Sequence, residues 1–233
     1  MIRWAGRSSE EVGVVVEYYP AQNGPSRRLE AVQVPGRNGD LLIDTGAYDN
    51  YEQEYEVYFY AGRNRTPALA RAVRAWLQGP TGYQRLEDSY DPGYFRMAYY
   101  AGPAEIENVM NRFGRATISF TCRPQRWRKD GEYPFLCSNG VNLYNEGFPA
   151  LPLVKVSGTG AGNLYVGGYT VEILSLDGYV MLDSDTQNAY RDTLNKNNTI
   201  SAPEFPVLQP GENTISWDGG ITAVEITPRW WTV

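Results

Sequence analysis

The chain has 233 residues, 42% of them hydrophobic, with two cysteines and no histidine; this suffices for one or two cores, excludes His-containing zinc sites and leaves too few thiols for a Cys-only one. No run of about 18 apolar residues occurs and the first residues lack an export signal's apolar stretch, so neither a membrane span nor export is expected, and Cys122 and Cys137 are expected as buried, reduced thiols of a chain made in a cytoplasm. The net charge of −6 lies wholly in residues 133–233, where four Lys/Arg face ten Asp/Glu, while residues 1–132 hold seventeen of each; an acidic half repels nucleic acid, so specific DNA binding is not expected.

In chain order, residues 13–18 and 28–34 have strand-forming composition on either side of a turn-rich loop at 20–26, and they are expected to pair as a hairpin. The loop Pro35-Gly-Arg-Asn-Gly-Asp40 then leads into Leu41, Leu42, Ile43 and Asp44. Residues 51–60 alternate strictly: Tyr51, Gln53, Tyr55, Val57 and Phe59 share one face, and Glu52, Glu54, Glu56, Tyr58 and Tyr60 the other. One helix of about thirteen residues is expected next, with Thr66 as N-cap, Pro67 in the first turn, a stripe of Leu69, Val73, Trp76 and Leu77, and a stop at Gly79-Pro80. A helix of that length is marginal alone in water and is expected to cover a sheet.

Further strands are expected at 94–100, 105–109 and 115–123, the last turning Ala116, Ile118, Phe120 and Cys122 toward the core. Periodicity fails between Trp127 and Pro152, where turn signals crowd together, so a linker is placed at 133–150 between a first domain, 1–132, and a second, 151–233. Beyond it, turns at 158–162, 167–168, 177–178, 195–198, 210–211 and 218–220 punctuate short strands with the spacing of an all-β sandwich. The fold class is therefore mainly β: a charge-balanced first domain with one covering helix, and an acidic second sandwich.

No catalytic, cofactor-binding or metal-binding residue is assigned. Ser-His and Cys-His catalysis need a histidine, and Lys129, Lys155 and Lys196 lie in no Ser-Lys motif. Glu52, Glu54 and Glu56 recur about 7 Å apart along one strand face, which suits a solvated or interface face better than two carboxylates across a cleft. Gly158-Thr-Gly-Ala-Gly162 leads into strand residues instead of the helix N-terminus a phosphate cradle needs, and is expected as a turn. Asp183-Ser-Asp185 opens like a calcium loop but has Asn188 and Leu194 where Gly and Glu are required. Arg123, Arg126, Trp127, Arg128 and Lys129 mix basic and aromatic groups as single-strand binders do, yet sit in a half whose charges cancel, so pairing within or between subunits is expected. Trp230 and Trp231 alternate faces, which puts one in the core and the other against a neighbour or the linker.

Four stretches in order carry a resemblance: Pro35-Gly-Arg-Asn-Gly-Asp-Leu-Leu-Ile-Asp-Thr-Gly46, Phe120-Thr-Cys-Arg-Pro-Gln-Arg-Trp127, Met181-Leu-Asp-Ser-Asp-Thr-Gln-Asn-Ala-Tyr190 and the closing residues 210–233. Together they resemble the distal tail protein (Dit) family of siphophages and prophages, a hub component of the tail baseplate. The resemblance implies an N-terminal tail-tube-like β-sandwich or barrel and a C-terminal galectin-like β-sandwich. It also implies a structural, non-enzymatic part without cofactor at the virion tail tip. There a homo-hexameric ring would join the tail tube protein to a tail-associated lysin-like tip protein, with a receptor-binding protein as a further partner and a channel for DNA. By resemblance, residues 35–44 fall in or near an arm that embraces the adjacent subunit, so Arg37, Asp40, Leu41, Leu42 and Ile43 are expected at a subunit interface; Glu52, Glu54 and Glu56 are placed along the channel. The alternative is a carbohydrate-binding module contacting host surface saccharides, for which Tyr169, Tyr179, Tyr190, Trp217, Trp230 and Trp231 are the available aromatics.

Overall fold

The structure, a computed structural model, describes residues 1–60, 66–103, 107–109 and 113–233. The chain divides into two compact units, the first Met1–Arg126 with Val233 and the second Trp127–Thr232. The boundary falls six residues before the one expected, and because the intervening residues hold two basic and two acidic groups, the first unit remains neutral and the second keeps the whole −6.

The first unit contains strands β1 (Ile2–Trp4), β2 (Arg7–Ser8), β3 (Val14–Val16), β4 (Arg27–Val32), β5 (Leu41–Tyr48) and β6 (Tyr51–Tyr60). Helix α1 (Thr66–Gln78) follows, then β7 (Gln84–Asp88), β8 (Tyr94–Tyr99), β9 (Glu107–Val109) and β10 (Phe113–Arg128), whose last two residues belong to the second unit. The main sheet runs β2-β1-β7-β8-β10-β6-β3, with β9 also on β10. Strict alternation along β6 places Tyr51, Tyr55, Val57 and Phe59 in the core with Ile118, Phe120 and Cys122 of β10, in the antiparallel register Tyr55 opposite Ile118 and Gln53 opposite Phe120. The aromatic centre is tight: Phe120 lies 4.8 Å from Trp4 and 6.1 Å from Tyr55, centroid to centroid. Helix α1 buries Val73, Trp76 and Leu77 against this core and leaves Arg71 and Arg74 exposed. The capping role expected of Thr66, the outward side chain of Tyr60 and the connection at 110–112 lie outside the described residues.

The expected hairpin of 13–18 with 28–34 is not formed. Strand β3 instead pairs with β6, Val15 opposite Tyr58, and β4 pairs with β5 in a separate two-stranded sheet. Sequence composition marks both segments as strands but does not say which edge each will find.

The second unit holds β11 (Phe135–Cys137), β12 (Val141–Asn145), β13 (Leu153–Val166), β14 (Tyr169–Asp183) and β15 (Asn188–Arg191). Five more strands complete it: β16 (Leu194–Asn195), β17 (Ile200–Ser201), β18 (Gly211–Trp217), β19 (Ile221–Thr227) and β20 (Trp231–Thr232). Strands β13 and β14 run side by side for almost their full length and serve two layers. The start of β13 pairs with β19 and its end, from Leu164, pairs with β18. One layer is thus β11-β19-β13-β14-β15-β16 and the other β12-β18-β13-β14-β17, closing on an aliphatic core that includes Val154, Val156, Leu164, Leu182, Ile215 and Val224.

The glycine stretch 158–162, expected as a turn, is the bend within β13. It permits a close backbone approach: Thr159 N–H donates to Gly220 carbonyl at 2.9 Å and Gly220 N–H to Ala161 carbonyl at 2.7 Å. A Cβ on Gly220 would sit 1.9 Å from the Thr159 carbonyl oxygen, so no side chain fits.

Residues 133–150, expected as a linker, contribute β11 and β12, paired with β19 and β18. Buried Asn145 ties the region down, donating to the carbonyls of Phe148 and Leu208 and accepting from Gly147 N–H. Strands of three and five residues between Gly and Pro turns are too short to show a period. Trp230 is in the core, and Trp231 stacks on Phe148 at 4.8 Å.

Candidate assembly interface

The β4–β5 hairpin stands apart in composition and exposure. Its register sets Leu29 opposite Asp44, Ala31 opposite Leu42, Glu30 opposite Ile43 and Val32 opposite Leu41. Cross-strand partners share a face, so Leu29, Ala31 and Leu42 lie on one side, and Val32, Leu41 and Ile43 on the other. Both sides face solvent: Leu29 is 49% exposed, Leu42 62% and Ile43 45%. A two-stranded hairpin is marginally stable alone in water, and one that bares aliphatic groups on both faces lacks the layer that would hold it. Polar contacts brace its base instead. Arg27 pairs with Asp44, and Arg28 holds Asp49 through Nε at 2.9 Å and Nη2 at 2.6 Å. A hydrogen bond from Gly46 N–H, then the Arg27 guanidinium, hold the Asp44 carboxyl below its usual range against slight desolvation.

At the tip, Gly36 and Gly39 take φ of +80° and +78°, which bulky residues rarely adopt, and Arg37 N–H donates to Val34 carbonyl at 3.1 Å. A shallow depression at the tip is lined by Gln33, Val34, Pro35, Arg37, Gly39 and Asp40. The structure thus brings Arg37 and Asp40 together at the tip and leaves Leu41, Leu42 and Ile43 exposed on the arm beside it.

Glu52, Glu54 and Glu56 point to the solvent face of β6, as the alternation requires, opposite Thr121, Ser119 and Thr117 of β10. Glu52 accepts from Ser119 Oγ at 2.5 Å and Thr121 Oγ1 at 2.7 Å. Among the described residues neither Glu54 nor Glu56 pairs with a cation. Farther along the face, Arg115 binds Glu17 at 2.9 Å and Arg123 lies 4.3 Å over the Tyr83 ring.

The basic cluster at 123–129 is consumed within the chain. Arg126 reaches the Asn23 carbonyl at 2.6 Å, and Arg128 holds Asp130 at 2.6 Å and Glu146 at 3.5 Å. Asp183 and Arg229, from two of the motif stretches, meet in an ion pair at 2.6 Å, with Asp185 N–H also donating to Asp183. Burial pushes the Asp183 carboxyl up, but the Arg229 contact and these backbone bonds outweigh it and hold the group below its usual range. Burial also pushes the Cys122 thiol up to about 12 and Cys137 to about 11, so neither is an activated nucleophile. Among the described residues no cluster of three His, Cys, Asp or Glu has metal-binding geometry.

One polar feature of the first unit was invisible in the sequence. Arg96, 1% exposed, donates to Asp88 at 3.1 Å and to Tyr51 Oη at 3.0 Å, and Tyr55 Oη donates to the same carboxylate at 2.7 Å. Desolvation first, and the Asp88 charge second, push the Tyr55 hydroxyl's pKa far up. No local spacing announces a pair made between neighbouring strands.

A curved sheet with one covering helix and a free hairpin, followed by a sandwich whose layers share two strands, is a known two-part β architecture. Over its length the chain matches the crystal structure of the Dit protein (gp 19.1) of phage SPP1, described as a paradigm of the hub adsorption apparatus in phages infecting Gram-positive bacteria. The TM-score is 0.76 at 11% sequence identity, covering 100% of this chain and 98% of that one. The baseplate of phage P2 in its activated conformation with Ca gives 0.43 at 8% identity, covering 92% and 89%, and only the first score is high enough to define a fold. No protein-family model and no curated protein matches the sequence. The fold is that of the Dit hub protein, the fold implied by the four motif stretches.

Proposed function

We propose that this chain is a structural component of a phage or prophage tail tip, closing with five further copies into a ring that joins the tail tube to the tip proteins and leaves a path for DNA. The observation that carries the reading is the β4–β5 hairpin, which exposes Leu29, Leu42 and Ile43 and has no covering layer among the described residues. In a closed ring every copy offers the same arm and the same receiving surface, so each arm is covered once and none is left over. Arg37 and Asp40 at the tip add charge-assisted bonds that fix the register. The charge-balanced unit forms the ring, and the acidic unit is left for contacts with other tail proteins. Glu52, Glu54 and Glu56 line the axis and keep passing phosphates from adhering.

Light scattering on the purified chain, alone and with its tube and tip partners, tests this reading. The expected mass is about six times the 26.2 kDa chain. Leu42→Asp is expected to leave a folded monomer with unchanged circular dichroism, because a charge replaces an anchor that the monomer does not bury. Full oligomer mass in that variant removes the arm from the interface, and a wild-type monomer in the presence of both partners removes the ring. A cryo-EM ring with the β6 carboxylates on its outside removes the channel lining alone.

A further inference from the structure

An asparagine followed by glycine loses its side-chain amide more readily than one followed by any bulkier residue, because the glycine nitrogen that attacks it has no Cβ beside it to crowd the approach. The chain contains three such pairs, Asn23-Gly24, Asn38-Gly39 and Asn139-Gly140, and the fold treats them differently. At Asn139 both ends of the amide are held, Nδ2 donating to the Trp217 carbonyl at 2.9 Å and Oδ1 accepting from Trp217 N–H at 3.0 Å. The Gly140 N–H is occupied as well, by the Ile215 carbonyl at 2.8 Å. Asn23 is half-buried and donates from Nδ2 to the Glu52 carbonyl at 2.8 Å, while Arg126 holds the Asn23 carbonyl at 2.6 Å. Asn38 lies at the tip of the β4–β5 arm, where residues 33–40 are all exposed. Among the described residues no hydrogen bond holds its amide or the Gly39 N–H, and the space where a Gly39 Cβ would stand is open.

We propose that Asn38 is a site of spontaneous deamidation in the folded chain, and that the fold protects the other two pairs. Gly39 N gives its proton to solvent base and bonds to Asn38 Cγ; the Cγ–Nδ2 bond then breaks, and ammonia leaves with a proton from solvent. Water opens the resulting five-membered imide, at Cγ to give aspartate or at the main-chain carbonyl to give isoaspartate. One water is consumed and one ammonia released, with no change of oxidation state. A pair whose amide and nitrogen are hydrogen-bonded must first open locally, which sets the order of the three rates. Either product adds a negative charge two residues from Asp40, and isoaspartate also lengthens the main chain by one carbon at the turn. The consequence for assembly rests on the ring reading: a docked arm holds its tip fixed against the neighbouring copy, so copies left unassembled lose the charge balance of Arg37 and Asp40 with time, whereas docked ones keep it.

The test is peptide mass spectrometry of the full chain after ageing at mildly alkaline pH and physiological temperature, reading deamidation and isoaspartate at each pair. Asn38 is expected to convert about tenfold or more faster than Asn23 and Asn139, and Asn38→Gln to remove the signal from its own peptide alone. In urea the three rates are expected to draw together, since the protection comes from the fold. Equal rates in the folded chain, faster conversion at Asn23 or Asn139, or a ranking that urea leaves undiminished overturns the proposal. Rapid conversion of Asn38 in a chain that forms no ring with its tube and tip partners leaves the modification site standing and defeats only the assembly consequence, as does a ring in which Asn38 converts as fast as in the free chain.

Discussion

The two units solve the problem of unfinished sheet edges differently. The second closes on itself: its layers share β13 and β14, its core is aliphatic, and even the short strands β11 and β12 are recruited. The first builds its core around packed aromatic rings and a buried ion pair, then extends a hairpin with no layer on either side among the described residues. The second unit thus covers its aliphatic residues within its own layers, whereas the first leaves Leu29, Leu42 and Ile43 of its hairpin exposed. The charge balance follows the same division, neutral in the first unit and acidic in the second.

The two units are expected to part most sharply at Asp88. Asp88→Ala leaves the Arg96 guanidinium buried without its carboxylate and is expected to cost about 3–5 kcal/mol. Peptide-resolved hydrogen exchange should show faster opening in residues 1–126 only, and equal acceleration in both units would mean that they do not unfold separately. The converse change is Gly220→Ala, whose Cβ collides with the Thr159 carbonyl and is expected to cost about 1–3 kcal/mol, confined to residues 127–232.

Asp183→Asn comes next, at about 1–2 kcal/mol at neutral pH, read from urea unfolding. The folded-state carboxyl titrates below its ordinary 3.8, so its contribution is complete above that value and is lost as pH falls through the lowered one. The gap between wild type and variant is therefore expected to narrow as pH falls below about 4, and a gap that does not narrow at all on acidification would exclude the charge as its source. Leu42→Asp should be smallest in stability, within about 0.5 kcal/mol, since the side chain is exposed in the isolated chain. A larger loss would show the hairpin to be part of its own unit's core.

How much of this was legible depends on whether the information is local. The alternation of β6 and the stripe of α1 were, because a half-buried strand or helix must repeat its apolar residues at the period of its backbone. The exposed placement of Glu52, Glu54 and Glu56 followed from that alone. The pairing of β3 with β6 was not, since a turn-rich loop at 20–26 is equally compatible with a hairpin and with a connection to a separate sheet. The bend at Gly158–Gly162 looks like a turn because both call for glycine, one for a reversed chain and the other for a carbonyl that passes too close for a Cβ. Leu41, Leu42 and Ile43 were marked by their place beside a glycine-rich loop, but their exposure on two faces depends on a register that only the folded hairpin displays.

The two long strands of the second unit have a mechanical consequence. Because β13 and β14 belong to both layers, a pull on one layer reaches the other through the peptide backbone as well as through side-chain friction. The layers cannot slide apart without straightening or rupturing β13 and β14 themselves, so a load between them is carried along two continuous backbones that brace each other through their shared ladder. The second unit gains resistance to separation of its layers from that layout without any covalent crosslink.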